Sequence, residues 1–371
     1  MTKAVRGLPA VRTLPRPIFG PGDGQNKGRI MTTEKSSGCL LAGDIGGTKT
    51  SLALFGPDKG NLLPLAEKTV NNDTASGLEE IIASFLGEQT VRPGSACFGV
   101  AGPVINNRAH MTNLPWTVDA RGLRQRFGMR SVILINDLVA TAMGAVSLPA
   151  GQLHTLNRGR PDHGGAVAVI APGTGLGQAF LVRYRGRFLP FPSEGGHCAF
   201  APASEQQARL LAFMSRRLDH VSAEQVCSGI GIPSLYDFLR ADRPGRVATR
   251  GTAGNGDRTR AIVEAALAAG KEGDDPLAAE ALALFVAILA TESANLVLKI
   301  LATGGLYIGG GLPPRILPYL TAKAFLGDFC RGRHRQMLAR VPVHVILEPR
   351  TALIGAAAYA CAFDSGARDR P

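Results

Sequence analysis

The sequence predicts an α/β protein built as two lobes around one cleft. A strand, a Gly-rich turn and a second strand occur at 39–55 and again at 166–184, about 130 residues further on, with strand and helix patterns alternating after each. The chain has 371 residues, too many for one compact core and enough for two.

Ordered structure is expected from about residue 39. The apolar run 39–42, the turn GDIGGTKT (43–50) and the alternating run 51–55 read as two strands joined by a tight turn. Residues 65–70 read as a third strand and 77–86 as an amphipathic helix; a strand over 96–100 ends in AGP (101–103). A strand over 131–135 runs into Asn136 and Asp137 and a helix over 138–146. In the second half, 166–170, APGTGLG (171–177) and 178–184 repeat the opening unit. Helices are expected over 204–218, 222–227, 232–239, 258–269 and 276–302, with the Arg/Gly-rich stretch 240–256 as a mobile loop. A strand over 306–308 meets a third glycine run (309–311), a helix starts near Pro313 and Pro314, and strand 343–347 and helix 352–360 close the chain. The expected division is a disordered basic extension (1–38), a small α/β domain (39–147) completed by a C-terminal helix (350–364), and a large α/β domain (148–349).

Composition narrows the function. The 46 glycines exceed the roughly 7% average, yet they have no G-X-Y period and apolar residues make up 45%, which excludes fibrous and disordered chains. The excess therefore belongs to turns and ligand loops. A net charge of +12 raises nucleic acid or an anionic membrane as a partner. Seven basic side chains against Asp23 and Glu34 lie within residues 1–38, and the rest are scattered without aromatics at stacking spacing. Solvated faces or attraction of an anionic small substrate are the better reading, so neither nucleic acid nor membrane is expected as a partner. The six cysteines lie far apart with no C-x-x-C, which indicates reduced and mostly buried thiols in a cytoplasmic protein. The apolar segment 277–302 carries Glu280, Glu292 and Lys299 and reads as a core helix rather than a membrane span. The N-terminus lacks the apolar region of a signal peptide and reads as a disordered extension, or as residues upstream of a start at Met31.

Three motifs can carry chemistry. GDIGGTKT is not a Walker A loop, because Thr48 stands where that motif has its second Gly and the turn leads to a strand; GTGLG (173–177) likewise fails the dinucleotide fingerprint. What remains is a hairpin whose backbone N–H groups can face an anion, with a hydroxyl on Thr48 and, on Asp44, a carboxylate able to hold a hydrated Mg²⁺. Asp137 stands at the C-terminal end of a strand, where open α/β sheets place ligands; it suits a general base for phosphoryl transfer, and equally a helix cap. SEGGH (193–197) sets Glu194 and His197 around two glycines, a loop suited to a polyol; zinc on Glu194, His197 and Cys198 is disfavoured because no further cysteine pair follows. Glu224 reads as a charge in the first turn of the helix 222–227.

Taken together, LAGDIGGTKTSLALF, HMTNLPW (110–116), LINDLVATAMG, APGTGLGQAFLV, PSEGGHCAFAP, HVSAEQVCSGIGIPSLY and LYIGGGLPPRIL resemble, in order and spacing, the bacterial glucokinases of the actin-like, hexokinase-type sugar kinases. The resemblance covers about residues 39–360. It implies the two-lobed actin-like (ribonuclease H-like) fold, ATP with Mg²⁺ as phosphoryl donor, phosphorylation of glucose at its 6-hydroxyl, and a homodimer. It implies Asp137 as the base, with Asn136 beside it on the sugar, and Glu194, His197 and Glu224 as glucose-hydroxyl ligands. Gly43, Asp44, Ile45, Gly46, Gly47 and Thr48 match the phosphate hairpin, Gly173, Thr174 and Gly175 the second nucleotide turn, and Gly309, Gly310 and Gly311 the strip under adenosine. No metal is expected on the protein alone, the Mg²⁺ being carried by ATP and bridged through water to Asp44. Lys49 stands where many relatives have Asn, Ser193 where Gly is frequent, and the first 38 residues have no counterpart. A kinase for mannose, glucosamine or fructose is the alternative, followed by a non-catalytic sugar-sensing regulator on the same fold.

Overall fold

A computed structural model describes residues 38–58, 61–111, 114–242, 257–268 and 275–363. The chain opens as an antiparallel meander of β1 (Leu40–Ile45), β2 (Lys49–Asp58) and β3 (Asn61–Asn71). Helix α1 (Leu78–Gly87) buries Leu78, Ile81, Ile82, Phe85 and Leu86, the i, i+3, i+4 stripe of an amphipathic helix, and returns the chain to β4 (Ser95–Val100), parallel to β1. A small sheet of β5 (Val104–Ile105), β6 (Arg108–His110) and β7 (Thr117–Asp119) precedes α2 (Ala120–Phe127), which Asp119 caps through the N–H of Arg121. Strand β8 (Ser131–Asn136) then pairs parallel with β4 and passes directly into α3 (Asp137–Ala145).

The second sheet is built from β9 (Leu153–Asn157), β10 (Val167–Pro172), β11 (Leu176–Tyr184) and β12 (Arg187–Ser193). After α4 (Glu205–Met214), α5 (Ile232–Asp242), α6 (Arg258–Leu267) and α7 (Pro276–Ile300) come β13 (Gly305–Ile308), α8 (Ala322–Phe329), α9 (Arg335–Leu338), β14 (Val343–Ile346) and α10 (Thr351–Phe363). The first sheet runs β3-β2-β1-β4-β8 and the second β12-β11-β10-β13-β14-β9. Five strands of each share one winding, two antiparallel hairpin neighbours followed by two parallel ones, so the internal kinship extends beyond the two hairpins. Central strands such as β4, buried at all six positions, carry the continuous apolar run that covering both faces of a sheet demands.

Helices α3 and α10 join the two sheets. Val139 and Ala140 pack with Leu353, Ala356 and Ala360 against Leu40, Ala42 and Cys97 of the first sheet. On the opposite side Ala142 and Met143 pack against Val167, Val169, Ala179 and Leu181 of the second. The helices cross closely because Gly144 and Gly355 lack side chains: a Cβ on Gly355 would lie 1.7 Å from the Ala140 carbonyl oxygen, and one on Gly144 2.0 Å from that of Thr351. Helix α7 is long and apolar enough to span a membrane, yet 72% of its most apolar stretch is buried within the protein, as a core helix requires. It is capped by Asp275, which accepts from the N–H groups of Leu277 and Ala278, and it ends where Leu301 turns left-handed.

Several expectations need correction. Residues 222–227 form turns rather than a helix, because the Glu224 N–H is taken by the carbonyl of Gly196 and Ser222 bridges to Ala199. The short strands β5 to β7, β9 and α2 were not anticipated. The cysteines are not mostly buried: Cys97 and Cys227 are, Cys39 and Cys330 are half-buried, and Cys198 and Cys361 are exposed. Helix α5 continues into the stretch expected as a loop; residues 243–256, like residues 1–37 of the extension expected over 1–38, lie outside the described residues.

The α3–α10 crossing should be intolerant of a single methyl group. Gly355→Ala should destabilise by about 1–3 kcal/mol or more, the cost of overpacking a close contact. Gly122→Ala, in exposed α2 with nothing within 4 Å of the new methyl, should instead stabilise by about 0.5–1 kcal/mol. Urea midpoints of the two variants measure both signs.

Candidate active site

The turn between β1 and β2 is pinned from behind. Gly46 N–H donates to the Lys49 carbonyl at 2.9 Å, closing the turn. Asn72, just after β3 and 2% exposed, donates through Nδ2 to the Gly46 carbonyl (2.8 Å) and through its own N–H to that of Thr48 (2.8 Å), while its Oδ1 accepts from the Thr50 hydroxyl (2.7 Å). The carbonyls of Gly46, Thr48 and Lys49 are thus occupied, whereas the N–H groups of Gly47 and Thr48 find no acceptor among the described residues. That polarity suits an anion. Ile45 is fully buried and Gly43 abuts Phe98, where a Cβ would lie 2.5 Å from a ring carbon, so both shape the turn from within the core.

Two carboxylates meet beside this turn. Asp44 lies opposite Gly99 of β4, and a Cβ on Gly99 would come within 3.6 Å of the Cα of Asp137. Burial, then the charge of Asp137, raises the Asp44 pKa to about 6. Burial likewise raises Asp137 to about 6, the Leu138 N–H pulls it down, and the charge of Glu194 pushes it up. The capping alternative is resolved by geometry: Asn136 is the cap residue, accepting from Leu138 N–H at 3.0 Å, and Asp137 is the first helical residue, its Oδ1 sharing that donor at 2.9 Å. A helix N-terminus favours the ionised form of such a carboxylate. Asn136 Nδ2 reaches the Gly102 carbonyl at 3.3 Å, tying the cap to the end of β4.

The loop after β12 brings Glu194, His197 and Glu224 into one row. His197 lies 3.8 Å from Glu194 through Nε2 and 3.9 Å from Glu224 through Nδ1. Glu194 and His197 are 78% and 63% exposed and free to meet a ligand, whereas Glu224 is 22% exposed and fixed by the Leu176 N–H at 2.9 Å. Glycine is required beneath the row, because a Cβ on Gly196 would lie 2.1 Å from the Leu176 carbonyl oxygen. Ser193 supports the loop: its hydroxyl accepts from Gly195 N–H at 3.1 Å.

The other two glycine runs lie at the ends of neighbouring strands. Gly173 N–H closes its turn on the Gly175 carbonyl (2.8 Å), and the turn is bound to the segment after Glu224 through Gly229 N–H and Ile230 N–H, which donate to the Gly173 and Thr174 carbonyls. A Cβ on Gly177 would strike Leu138, which sets this turn against the start of α3. Gly309 faces Thr141 of α3 and Ala171 of β10, and Gly310 takes a φ of +85° beside the Pro172 carbonyl. The elements carrying these groups, β1, β8, β10, β11 and β13, all present their ends around the first turns of α3. Sequence reasoning missed Asn72, whose only signal is a polar residue after a strand, and Gln178 beneath the Glu194 loop. A cavity of about 710 Å³ lies elsewhere, between the ends of α3 and α10 and the β11–β12 turn, and contains none of these residues.

The model of the glucokinase family matches residues 41–362. A glucokinase of Nostoc sp. is 40% identical over 339 residues, covering 86% of this chain and 97% of its own. Among solved structures, a glucokinase from an Antarctic psychrotroph superposes with a TM-score of 0.77 at 30% identity, covering 88% of this chain and 99% of that one. A ROK-family glucokinase from Streptomyces griseus, solved with glucose and AMPPNP, shares the fold at a TM-score of 0.58 and 22% identity, over 86% of this chain and 98% of that one.

The two carboxylates should titrate as neighbours. Asp137→Asn removes one charge, so the Asp44 pKa should fall from about 6 while burial keeps it above the ordinary 3.8. A carboxylate-detected NMR titration reads the shift; an Asp44 pKa unchanged by the substitution would mean that the two groups do not sense each other.

Proposed function

The chain belongs to the glucokinase family and phosphorylates glucose, and from that premise we propose that Asp137 is the general base that takes the proton of the 6-hydroxyl as the γ-phosphoryl group of ATP is transferred. One observation carries this reading. Asp137 is a half-buried carboxylate with a pKa near 6, at a helix start where the loops of both sheets meet. Near neutral pH it is mostly ionised, yet basic enough to accept a proton in the transition state. In phosphoryl transfer the protein mainly positions the groups and stabilises charge, and the remaining residues divide that work.

Glu194, His197 and Glu224 take the sugar hydroxyls in this reading, with Asn136 beside the reacting carbon. The exposed pair Glu194 and His197 engages glucose on arrival, and fixed Glu224 sets the depth. Gly47 and Thr48 offer N–H groups and a hydroxyl to the phosphates, Gly173, Thr174 and Gly175 the second nucleotide turn, and Gly309, Gly310 and Gly311 a surface for adenosine. Asp44 fits a hydrated divalent cation carried by ATP: it is a half-buried oxygen donor whose pKa is raised, and among the described residues no cluster of three ligands would hold a metal without phosphate. Mg²⁺ there would supply charge neutralisation between the phosphates. Closure of the two lobes on glucose would exclude water and so protect ATP from hydrolysis.

The small domain (39–147 with the C-terminal helix) and the large domain (148–349) are, on this reading, the two bodies that close. The exposed rings of Tyr184 and Phe191, on the β11–β12 hairpin, offer a face that a homodimer would cover, and the free cysteines fit a cytoplasmic protein. The family match favours glucose over other hexoses and catalysis over a non-catalytic regulator.

Asp137→Asn should lower kcat by about 10²–10⁴-fold while leaving glucose binding near its normal strength. The wild-type kcat/KM should decline as pH falls through about 6, because the base is then protonated, and the variant should lose that limb. ADP release from Mg²⁺-ATP with and without glucose, followed across pH, tests both; near-normal turnover in the variant removes Asp137 from the role. Asn72→Ala frees the phosphate turn and should raise the KM for ATP by about tenfold, with little change in that for glucose, as expected for losing buried hydrogen bonds. Equal changes in both constants would place Asn72 outside the nucleotide site.

A further inference from the structure

Glu292 stands in the middle of α7, among fifteen buried positions of that helix, and is 8% exposed. A carboxylate there is costly, and a leucine would pack without that cost. Among the described residues no cationic side chain pairs with it. Its two oxygens instead accept from amides, Oε1 from Gln178 Nε2 at 2.9 Å and Oε2 from Asn295 Nδ2 at 3.2 Å.

Gln178 explains what the carboxylate holds. It lies on β11, 3% exposed, directly opposite Ser193 at the start of the Glu194 loop. Because Glu292 claims its Nε2, the amide presents Oε1 to the loop, and that oxygen occupies the space over Gly195: a Cβ there would lie 2.0 Å from it. Gly195 is flanked by Glu194 and opens the helical turn Gly195–His197 that carries His197. The same carboxylate lies close to Cys227, whose thiol pKa is raised by burial and then by the Glu292 charge. Cys227 ends the turn that carries Glu224, which accepts through its carbonyl from the Ser228 hydroxyl. Glu292 therefore sits beneath both segments that form the Glu194, His197 and Glu224 row.

We propose that the Glu292–Gln178 pair positions the sugar loop, fixing the orientation of one buried amide so that Gly195, and with it Glu194 and His197, keeps the register that glucose binding needs. Neither residue touches the reacting atoms, and the inference rests on the reading of Glu194 and His197 as sugar ligands.

The test compares Glu292→Leu, Gln178→Leu, Glu292→Gln and Glu194→Gln in steady-state assays of the full chain with glucose and Mg²⁺-ATP. Glu292→Leu and Gln178→Leu should each raise the KM for glucose about tenfold, the scale of one lost buried hydrogen bond to a charged group, with the KM for ATP and kcat at saturating glucose nearly unchanged. Glu292→Gln keeps an acceptor for Gln178 Nε2 and should restore most of the glucose affinity. A merely structural role would move both KM values together, or would leave the Gln variant as impaired as the Leu variant; either result overturns the proposal. If Glu292→Leu fails to fold, Gln178→Leu carries the same comparison. An unchanged glucose KM in Gln178→Leu, beside a raised one in Glu194→Gln, overturns the positioning role and spares the sugar loop. An unchanged glucose KM in Glu194→Gln overturns the sugar-loop reading and this proposal with it.

Discussion

The molecule depends on where α3 begins and on what it is pressed between. Asp137 follows the last residue of β8 with no intervening loop, so this carboxylate has the positional precision of the strand and not the freedom of a connection. Further along, the helix is trapped between two sheets and held against α10 by the backbone contact at Gly144 and Gly355. Its N-terminus, which favours anions, is thereby delivered to the point where the strand ends of both sheets converge. A helix shared by two sheets also senses any movement of one against the other, so the proposed lobe closure would be coupled to the placement of Asp137.

Concentrating carboxylates at that point has a cost in stability. Asp44 and Asp137 have pKa values near 6 in the folded chain, against 3.8 as the ordinary value. A raised carboxyl pKa means that the folded state binds the proton more tightly than the unfolded one. Stability is therefore greatest below pH 3.8 as far as these two groups are concerned, falls as pH rises from about 4 to 6, and stays at the lower level above it. Each shift of about two units corresponds to roughly 3 kcal/mol, a large share of the 5–15 kcal/mol typical of a folded domain. A carboxylate held near pH 6 by burial is suited to general-base work, the role proposed for Asp137.

What the sequence makes legible follows from distance along the chain. The hairpins, the strand ending in Asn136 and Asp137, and the Glu194 loop are local patterns of apolar period and glycine, readable within about ten residues. Gln178 and Glu292 are 114 positions apart and meet only after folding; to a linear reader one is a polar residue in an alternating strand and the other a charge that argues against a membrane span. Asn72 is hidden in the same way, 26 residues from the Gly46 carbonyl that it holds. The misread helix at 222–227 has the opposite cause: its local pattern is helical, but the tertiary bonds of Glu224 to Gly196 and Leu176 outweigh local propensity. The short strands β5 to β7 are two or three residues long and leave no period to detect.

The glycine excess separates into two kinds with different physical reasons. At Gly196 a Cβ would meet the Leu176 carbonyl oxygen at 2.1 Å, and at left-handed Gly310 the Pro172 carbonyl oxygen at 2.4 Å, so the fold itself requires glycine, while at Gly175, Gly177 and Gly195 it would displace the side chains of Glu224, Leu138 and Gln178. Gly173 and Gly311 differ. Neither has a positive φ, and among the described residues nothing lies within 4 Å of the position a side chain would take. Packing and backbone conformation would both accept alanine there, as they would at Gly122, so the fold does not demand glycine at either position. Both residues border the end of β10, and in the proposed nucleotide reading a phosphate or a flat base would come close to the main chain there. The open space over these two glycines leaves room for that approach.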